Sequence, residues 1–384
     1  MPLAKSSVST VVGKRSAGAP PRSRFGRFAI CAAILAQPAV AMPAPATTAS
    51  SSPAWEVAPA AIATREIRFS SHGVMLTGTL SYPAGATRAP AIVVTHGAEA
   101  PTRDFGLYRH LEQDLPRLGY ATFVYDRRGS GASAGDIEES DYQILADDAV
   151  AAQQAIAADP HVDRHRIGFW GLSQGGWLAA LAAMRSPDAA FVISISAPLQ
   201  TPAEQMAFAV SNILATKGFG ADDIAHAIAT RHAVEDYLRG RESTADAQAA
   251  LDKAKDKPWF DDIFMGATVS GHPEQSRWRK EMDYDPSLPL KALKIPVLVL
   301  FGSDDPWVPV RASLDQFHLL TPNHRNIDVE VVPGADHMMM PPPTTNPMGY
   351  DAKTLKAEAP STPAYFLILS TWLARNVALP SRAR

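Results

Sequence analysis

At 384 residues and 46% apolar content, the chain can bury one large core or two smaller ones. Its 36 basic residues against 39 acidic ones, a formal charge of −3, leave no surplus for neutralising phosphates, which argues against nucleic acid as a partner. A single cysteine, Cys31, rules out an internal disulfide framework.

The charge is unevenly placed. Lys5, Lys14, Arg15, Arg22, Arg24 and Arg27 all precede the first acidic residue, Glu56. They run into the short apolar stretch Phe28–Ala36 and then Ala39-Val40-Ala41. A positive segment, a short apolar segment and an A-x-A site are the grammar of a secretory signal peptide. Residues 1–41 are therefore expected to direct export to the periplasm or the exterior, and no other stretch promises a stable membrane span. Cleavage after Ala41 removes the cysteine and six basic residues, taking the net charge to −9 and excluding a thiol nucleophile. Residues 42–60, rich in Pro, Ala, Ser and Thr, read as a flexible linker.

Farther along, Arg65–Phe69 and Val74–Leu80 alternate around the turn Ser71-His72-Gly73, the pattern of an antiparallel pair. Ala91–Thr95 is a buried strand ending in His96-Gly97. Next come a helix (Tyr108–Leu118), a strand (Ala121–Tyr125), a helix (Tyr142–Ala158) and strands over Arg166–Trp170 and Phe191–Ile195. The alternation resumes at Pro296–Phe301 and Ile327–Val332 and closes with a helix over about Ala364–Arg375. Apolar strands separated by helices predict an α/β fold whose mostly parallel sheet is covered on both faces. Between Pro198 and Pro289 the strands stop and helical patterns take over, at Ala203–Leu214, Asp222–Leu238 and Thr244–Lys255. That stretch is several times longer than one crossover needs. It divides the chain into a core, 61–198 with 290–384, and a helical cap, 199–289, over the C-terminal edge of the sheet.

The chemistry concentrates at Gly171-Leu172-Ser173-Gln174-Gly175, which follows one predicted strand and opens a predicted helix. A serine at the tip of such a turn needs small neighbours, and its backbone sits at a helix N-terminus where N–H groups can meet a developing oxyanion. Gly131-Ala132-Ser133-Ala134-Gly135 has the same five-residue pattern. No strand runs directly into it and no apolar helix leaves it, so Ser133 reads as a loop serine and Ser173 as the nucleophile.

A serine nucleophile needs a base, and the base an orienting acid. Gly302-Ser303-Asp304-Asp305-Pro306-Trp307-Val308 follows a buried strand. Asp305 fits the spacing of the acid, and Asp304 reads as a turn residue one position early. His337, in the loop Gly334-Ala335-Asp336-His337 past the last strand, completes the order Ser…Asp…His. The backbone N–H groups of Ala98 and Gln174 are the expected oxyanion hole. His96 reads as a loop-shaping residue, and the charges of Asp126-Arg127-Arg128 as pins for loops around the site.

His96-Gly97, Asp126-x-Arg128-Gly129-x-Gly131, Gly171-x-Ser173-x-Gly175-Gly176 and Gly302-x-x-Asp305 with His337 together resemble the alpha/beta-hydrolase superfamily, from about Arg65 to the C-terminus. Arg103-Asp104 and the Asp-Arg-Arg-Gly loop look like bacterial esterases near the dienelactone-hydrolase and serine-aminopeptidase branches. Such esterases often carry Gly-Ser-Gly-Pro after the His-Gly, where this chain has Ala98-Glu99-Ala100-Pro101. The resemblance implies a serine hydrolase that cleaves small carboxylic esters of short to medium acyl length through an acyl-enzyme, with no metal or organic cofactor, and the export signal makes the expected enzyme a secreted one. The alternatives are a serine aminopeptidase or amidase, with Glu204, Asp222 or Asp223 as anchor for the substrate's amino group, and a thioesterase. A non-catalytic binding protein is the different-class reading, but no triad member is missing.

Overall fold

The computed structural model describes residues 61–341 and 360–379. The expected signal peptide and linker lie outside the described residues.

The chain enters the fold through β1 (Ile62–Ser71) and β2 (Val74–Pro83), an antiparallel hairpin. Its two-residue turn puts both His72 (φ 49°) and Gly73 (φ 74°) in the left-handed region, as a tight hairpin matched to strand twist requires. Six further strands follow among the described residues: β3 (Ala89–Thr95), β4 (Ala121–Tyr125), β5 (Val162–Leu172), β6 (Ala189–Ile195), β7 (Val297–Gly302) and β8 (Ile327–Val332). They join one sheet in the order β1-β2-β4-β3-β5-β6-β7-β8. β2 pairs antiparallel with both β1 and β4, and all other pairs are parallel.

The side-chain alternation of the central strands explains why the sheet is covered twice. Ala91, Val93, Phe169, Val297 and Val299 point into one cluster, with α2 (Tyr142–Ala157) and α3 (Gln174–Arg185). Ile92, Val94, Trp170, Leu298 and Leu300 point into the other, with α1 (Gly106–Arg117) and the closing helix α10 (Pro363–Asn376). Apolar residues at consecutive positions are what two buried faces demand, hence the unbroken runs in the sequence. This is the alpha/beta-hydrolase fold. β5 begins four residues before the expected Arg166, because its start carries the exposed Arg164 and His165 and so lacks an apolar signature.

Between β6 and β7 lies the helical insertion: α4 (Pro202–Thr216), α5 (Ala221–Leu238), α6 (Thr244–Ala254) and α7 (Arg277–Glu281), with α8 (Ser287–Ala292) leading back to the sheet. The insertion has its own apolar cluster, including Val210, Leu214, Leu251, Trp259 and Ile263. A capping box between Thr201 and Glu204 starts α4. Past β7, α9 (Val310–Leu320) packs Phe317 against Phe301.

Candidate active site

Strand register brings the sequence-predicted residues to one edge. Thr95 is level with Gly171, Leu172 with Ile195, Ile195 with Leu300, and Gly302 with Val332. His96, Ser173, Asp305 and His337 each follow the end of one of these parallel strands, so all emerge at the C-terminal edge, where parallel sheets present their ligand sites.

Ser173 connects β5 to α3 with φ 58° and ψ −127°. A residue with a Cβ in that region costs about 1–3 kcal/mol and persists only where its surroundings hold it. Here they do so closely. A Cβ on Gly171 would lie 2.0 Å from the carbonyl oxygen of Gly175, and one on Gly175 would lie 2.4 Å from that of Thr95. The Thr95 hydroxyl reaches the carbonyls of Trp170 (3.0 Å) and Gly175 (2.7 Å), tying the turn to β3 from both sides. The Ser173 N–H donates to Ile195 O at 2.7 Å. Gln174 opens α3, so its N–H has no acceptor within the helix.

Asp305 and His337 are joined directly: Nδ1 of His337 lies 2.8 Å from Oδ2 of Asp305, both side chains buried. The other oxygen, Oδ1, accepts from the backbone N–H groups of Trp307 (2.8 Å) and Val308 (3.1 Å), fixing the carboxylate plane. With Nδ1 donating to the carboxylate, Nε2 is the nitrogen left to accept a proton. Asp304 is exposed, and its N–H donates to Ala335 O at 2.9 Å, so it serves the turn. The two loops are in tight contact, since a Cβ on Gly302 would lie 2.3 Å from Ala335 O.

Three residues that support this arrangement escaped the sequence reading. Ser196 (φ 50°) donates from Oγ to His337 O at 3.0 Å. Asp336, fully buried, accepts from the N–H groups of Met338 (2.9 Å) and Met340 (3.0 Å) and so shapes the loop of the base. Burial raises its carboxyl above the usual range, against the backbone hydrogen bonds that lower it. Thr95 is the third. Only Asp336 left a sequence signal, as the acidic neighbour of the candidate base.

On the other side of the elbow, His96 is buried with Nε2 hydrogen-bonded to Tyr125 O at 2.5 Å, and burial pushes its pKa down to about 3. A buried, neutral ring tied through Nε2 to the end of β4 suits a loop-shaping role. Ser133 is equally occupied, donating to Asp126 O (2.6 Å) and accepting from the Thr77 N–H (3.0 Å). Arg128 forms a two-point contact with buried Asp148, and Asp126 accepts from the N–H groups of Arg103 and Ala132 at 2.9 Å each. Arg127 turns toward the loop after β3, donating to Gly97 O (3.4 Å) and Ala98 O (3.2 Å).

The insertion meets the loop of the acid through Gln205, which donates to Trp307 O at 2.7 Å, and Asn212, which donates to Pro306 O at 2.8 Å. The Trp307 ring lies between Phe264 of the insertion (6.0 Å) and His337 (6.4 Å). Of the suggested amine anchors, Glu204 is held in its capping box, Asp223 accepts from the Trp259 indole at 3.1 Å, and Asp222 is an exposed first-turn residue of α5. Met338 and Met339, adjacent to the base, pack into the core. Among the described residues, no cluster of three or more His, Cys, Asp or Glu could hold a metal, and no helix is long and apolar enough to cross a membrane.

Residues 86–342 match the family described as serine aminopeptidase, S33. An uncharacterised peptidase of Bacillus subtilis, YuxL, is 37% identical over 126 residues, 29% of this chain and 18% of that protein. An uncharacterised 31.7 kDa protein of Escherichia coli is 23% identical over 243 residues, 61% of this chain and 78% of its own. Among solved structures, an esterase of Pyrococcus furiosus aligns at TM-score 0.51 and 13% identity, covering 83% of this chain and 92% of that one. The acylaminoacyl peptidase of Pyrococcus horikoshii aligns at TM-score 0.50 and 18% identity, covering 84% and 43%. At such identities the two structures share the fold, and this chain spans less than half of the longer peptidase.

Proposed function

Because the chain belongs to the serine aminopeptidase S33 family of alpha/beta-hydrolases, we propose that it cleaves acyl bonds through an acyl-enzyme on Ser173, with amide and aminoacyl substrates ahead of simple carboxylic esters. The observation that carries this reading is the 2.8 Å contact between Asp305 and His337, beside an elbow that holds Ser173 at φ 58°. The family match moves the preference from the ester expected at first to the amide. The ester remains the second reading, favoured by the His96-Gly97 and Asp-Arg-Arg-Gly motifs. An anchor for a free amino group is not assigned to Glu204 or Asp223, which are engaged elsewhere.

In the proposed reaction His337 takes the proton of Ser173 as its oxygen attacks the carbonyl carbon. Asp305 holds the imidazole in the tautomer with Nδ1–H and stabilises its charged form. The N–H groups of Ala98 and Gln174 meet the oxyanion, a contribution of about 3 kcal/mol per donor. The imidazolium then protonates the departing amine or alcohol, and water deacylates Ser173 by the same route. The insertion, 199–289, serves as a cap over a core formed by 61–198 and 290–384. Residues 1–41 serve as an export signal and 42–60 as a tether, which sequencing the N-terminus of the secreted protein would test.

A fluorophosphonate probe followed by peptide identification tests the nucleophile. Labelling at Ser173, lost in Ser173→Ala, is the expected result, and a folded protein that stays unlabelled overturns the reading. Matched N-acetyl-aminoacyl and free aminoacyl p-nitroanilides, run beside p-nitrophenyl esters of graded length, then rank the substrate classes.

A further inference from the structure

The N–H of Ala98 belongs to the peptide unit whose carbonyl is Gly97 O. In a planar trans peptide these two groups point in opposite directions, so whatever grips the carbonyl aims the N–H. Arg127 shares that grip with the loop's own backbone: Nη1 and the Ala100 N–H each donate to Gly97 O at 3.4 Å, and Nη2 donates to Ala98 O at 3.2 Å. Nη1 also lies 3.4 Å from Oε1 of Gln174, the residue carrying the second oxyanion donor. The Arg127 backbone N–H donates to Pro101 O at 2.8 Å, so one residue holds the Ala98–Pro101 loop at both ends. Tyr108 supports its middle, donating from the hydroxyl to Ala100 O at 2.6 Å.

We infer that Arg127 is the positioning residue of the oxyanion hole, a clamp that sets the Ala98 N–H and the Gln174 backbone relative to one another. The inference rests on the assignment of Ser173 as nucleophile. A buried guanidinium is expensive to place, and here it is 7% exposed with Nε lacking a partner among the described residues. Fold support alone is already supplied next door, where Arg128 pairs with Asp148. Arg127 spends its donors on neutral acceptors of the two oxyanion residues and their neighbour. A planar fork reaches three acceptors on two separate segments, which a lysine ammonium on one stem cannot do in the same geometry. Hydrogen-bonding the Gly97 carbonyl also polarises that peptide and makes its N–H a stronger donor.

The test compares Arg127→Met and Arg127→Lys with wild type in the full chain, using p-nitrophenyl butyrate turnover, fluorophosphonate labelling rate and inhibition by an alkyl trifluoromethyl ketone. The ketone adds to the serine and places an oxyanion in the same hole. Arg127→Met is expected to lower kcat about 10²-fold, with KM within about threefold and ketone affinity weakened by a factor similar to that for kcat. Arg127→Lys is expected to fall between. A kcat within about threefold of wild type, or lost turnover with intact ketone affinity, overturns the clamp. So does a parallel fall of kcat, KM and thermal midpoint, the mark of a merely structural residue. Wild type that is not labelled at Ser173 overturns the hydrolase reading and the clamp together, whereas labelled wild type with an unimpaired Arg127→Met overturns the clamp alone.

Discussion

Oγ of Ser196 donates to the main-chain carbonyl of His337 at 3.0 Å, so the strand beside the elbow holds the backbone of the candidate base. The Ser196 N–H donates to Leu300 O at 2.8 Å, and the Ser173 N–H to Ile195 O at 2.7 Å. The candidate nucleophile and the candidate base are thus both referenced to the end of β6. Ser196→Ala leaves the buried His337 carbonyl short of a donor, a loss of about 1–3 kcal/mol in stability. Turnover is expected to fall severalfold with KM unchanged, as the imidazole loses a fixed height above the sheet. Urea unfolding and steady-state kinetics check both, and unaltered kcat would remove Ser196 from the support of the site.

Adjacent carboxylates at 304 and 305 offer a direct test of which one orients the base. Asp305→Asn replaces an acceptor with an amide that can no longer stabilise the imidazolium or enforce the Nδ1–H tautomer. A fall in kcat on the order of 10⁴-fold is expected, as for other triads of this kind. Asp304→Asn alters an exposed side chain and is expected to change kcat by no more than about twofold. Equal losses in the two variants would move the acid by one residue.

Two glycines in the paired loops of acid and base separate close approach from backbone conformation. A Cβ at Gly302 would meet Ala335 O at 2.3 Å and Asp336 O at 2.4 Å, both main-chain atoms with no room to yield. Gly302→Ala is expected to cost more than about 4 kcal/mol and to drive His337 out of place. Gly334, at φ 66°, has nothing within 4 Å of its Cβ position. Gly334→Ala carries only left-handed strain, about 1–2 kcal/mol. Denaturant midpoints for the two variants should differ widely, and similar values would refute the steric argument.

What could be read from the sequence follows from where the physics is local. The apolar runs at Ala91–Thr95 and Ala121–Tyr125 are strands because sheet burial on both faces writes itself into consecutive residues, whereas the edge strand Ile327–Val332 carries Asp328 and Glu330 and is legible by its alternation. The elbow at Ser173 is legible because its steric limits exclude side chains at Gly171 and Gly175, leaving a pattern of adjacent positions. The Asp305–His337 pairing spans 32 residues and was inferred from strand-end placement and order. Thr95 and Ser196 are out of reach, and Arg127 is legible as a loop pin but not in the carbonyls it grips, since each acts through main-chain atoms 29 to 141 residues away. Hydroxyl or guanidinium contacts to distant carbonyls impose no periodicity, so nothing in a single sequence distinguishes them from surface polar residues.

Stability should depend on pH through four buried or half-buried groups that do not exchange protons with substrate. Burial pushes His96 and His110 from 6.5 down to about 3, so between those values the unfolded chain binds two protons that the folded chain refuses. That difference removes stability as pH falls. Glu112 and Glu281 work in the opposite sense. Burial raises each from 4.5 to about 7, against the pull of Arg103 and Arg109 on the first and of Arg277 on the second, so the folded chain holds two protons that the unfolded chain releases. From about pH 6.5 to 4.5 the two pairs oppose one another, and wild-type stability should change little. Glu281→Gln removes one of the protons held by the folded chain, so its stability should fall toward acid more steeply than that of wild type by about 1.4 kcal/mol per pH unit. Urea unfolding at pH 5, 5.5 and 6 measures both slopes. Equal slopes in the two proteins would mean that Glu281 releases its proton in the folded state, and that its burial is incomplete in solution.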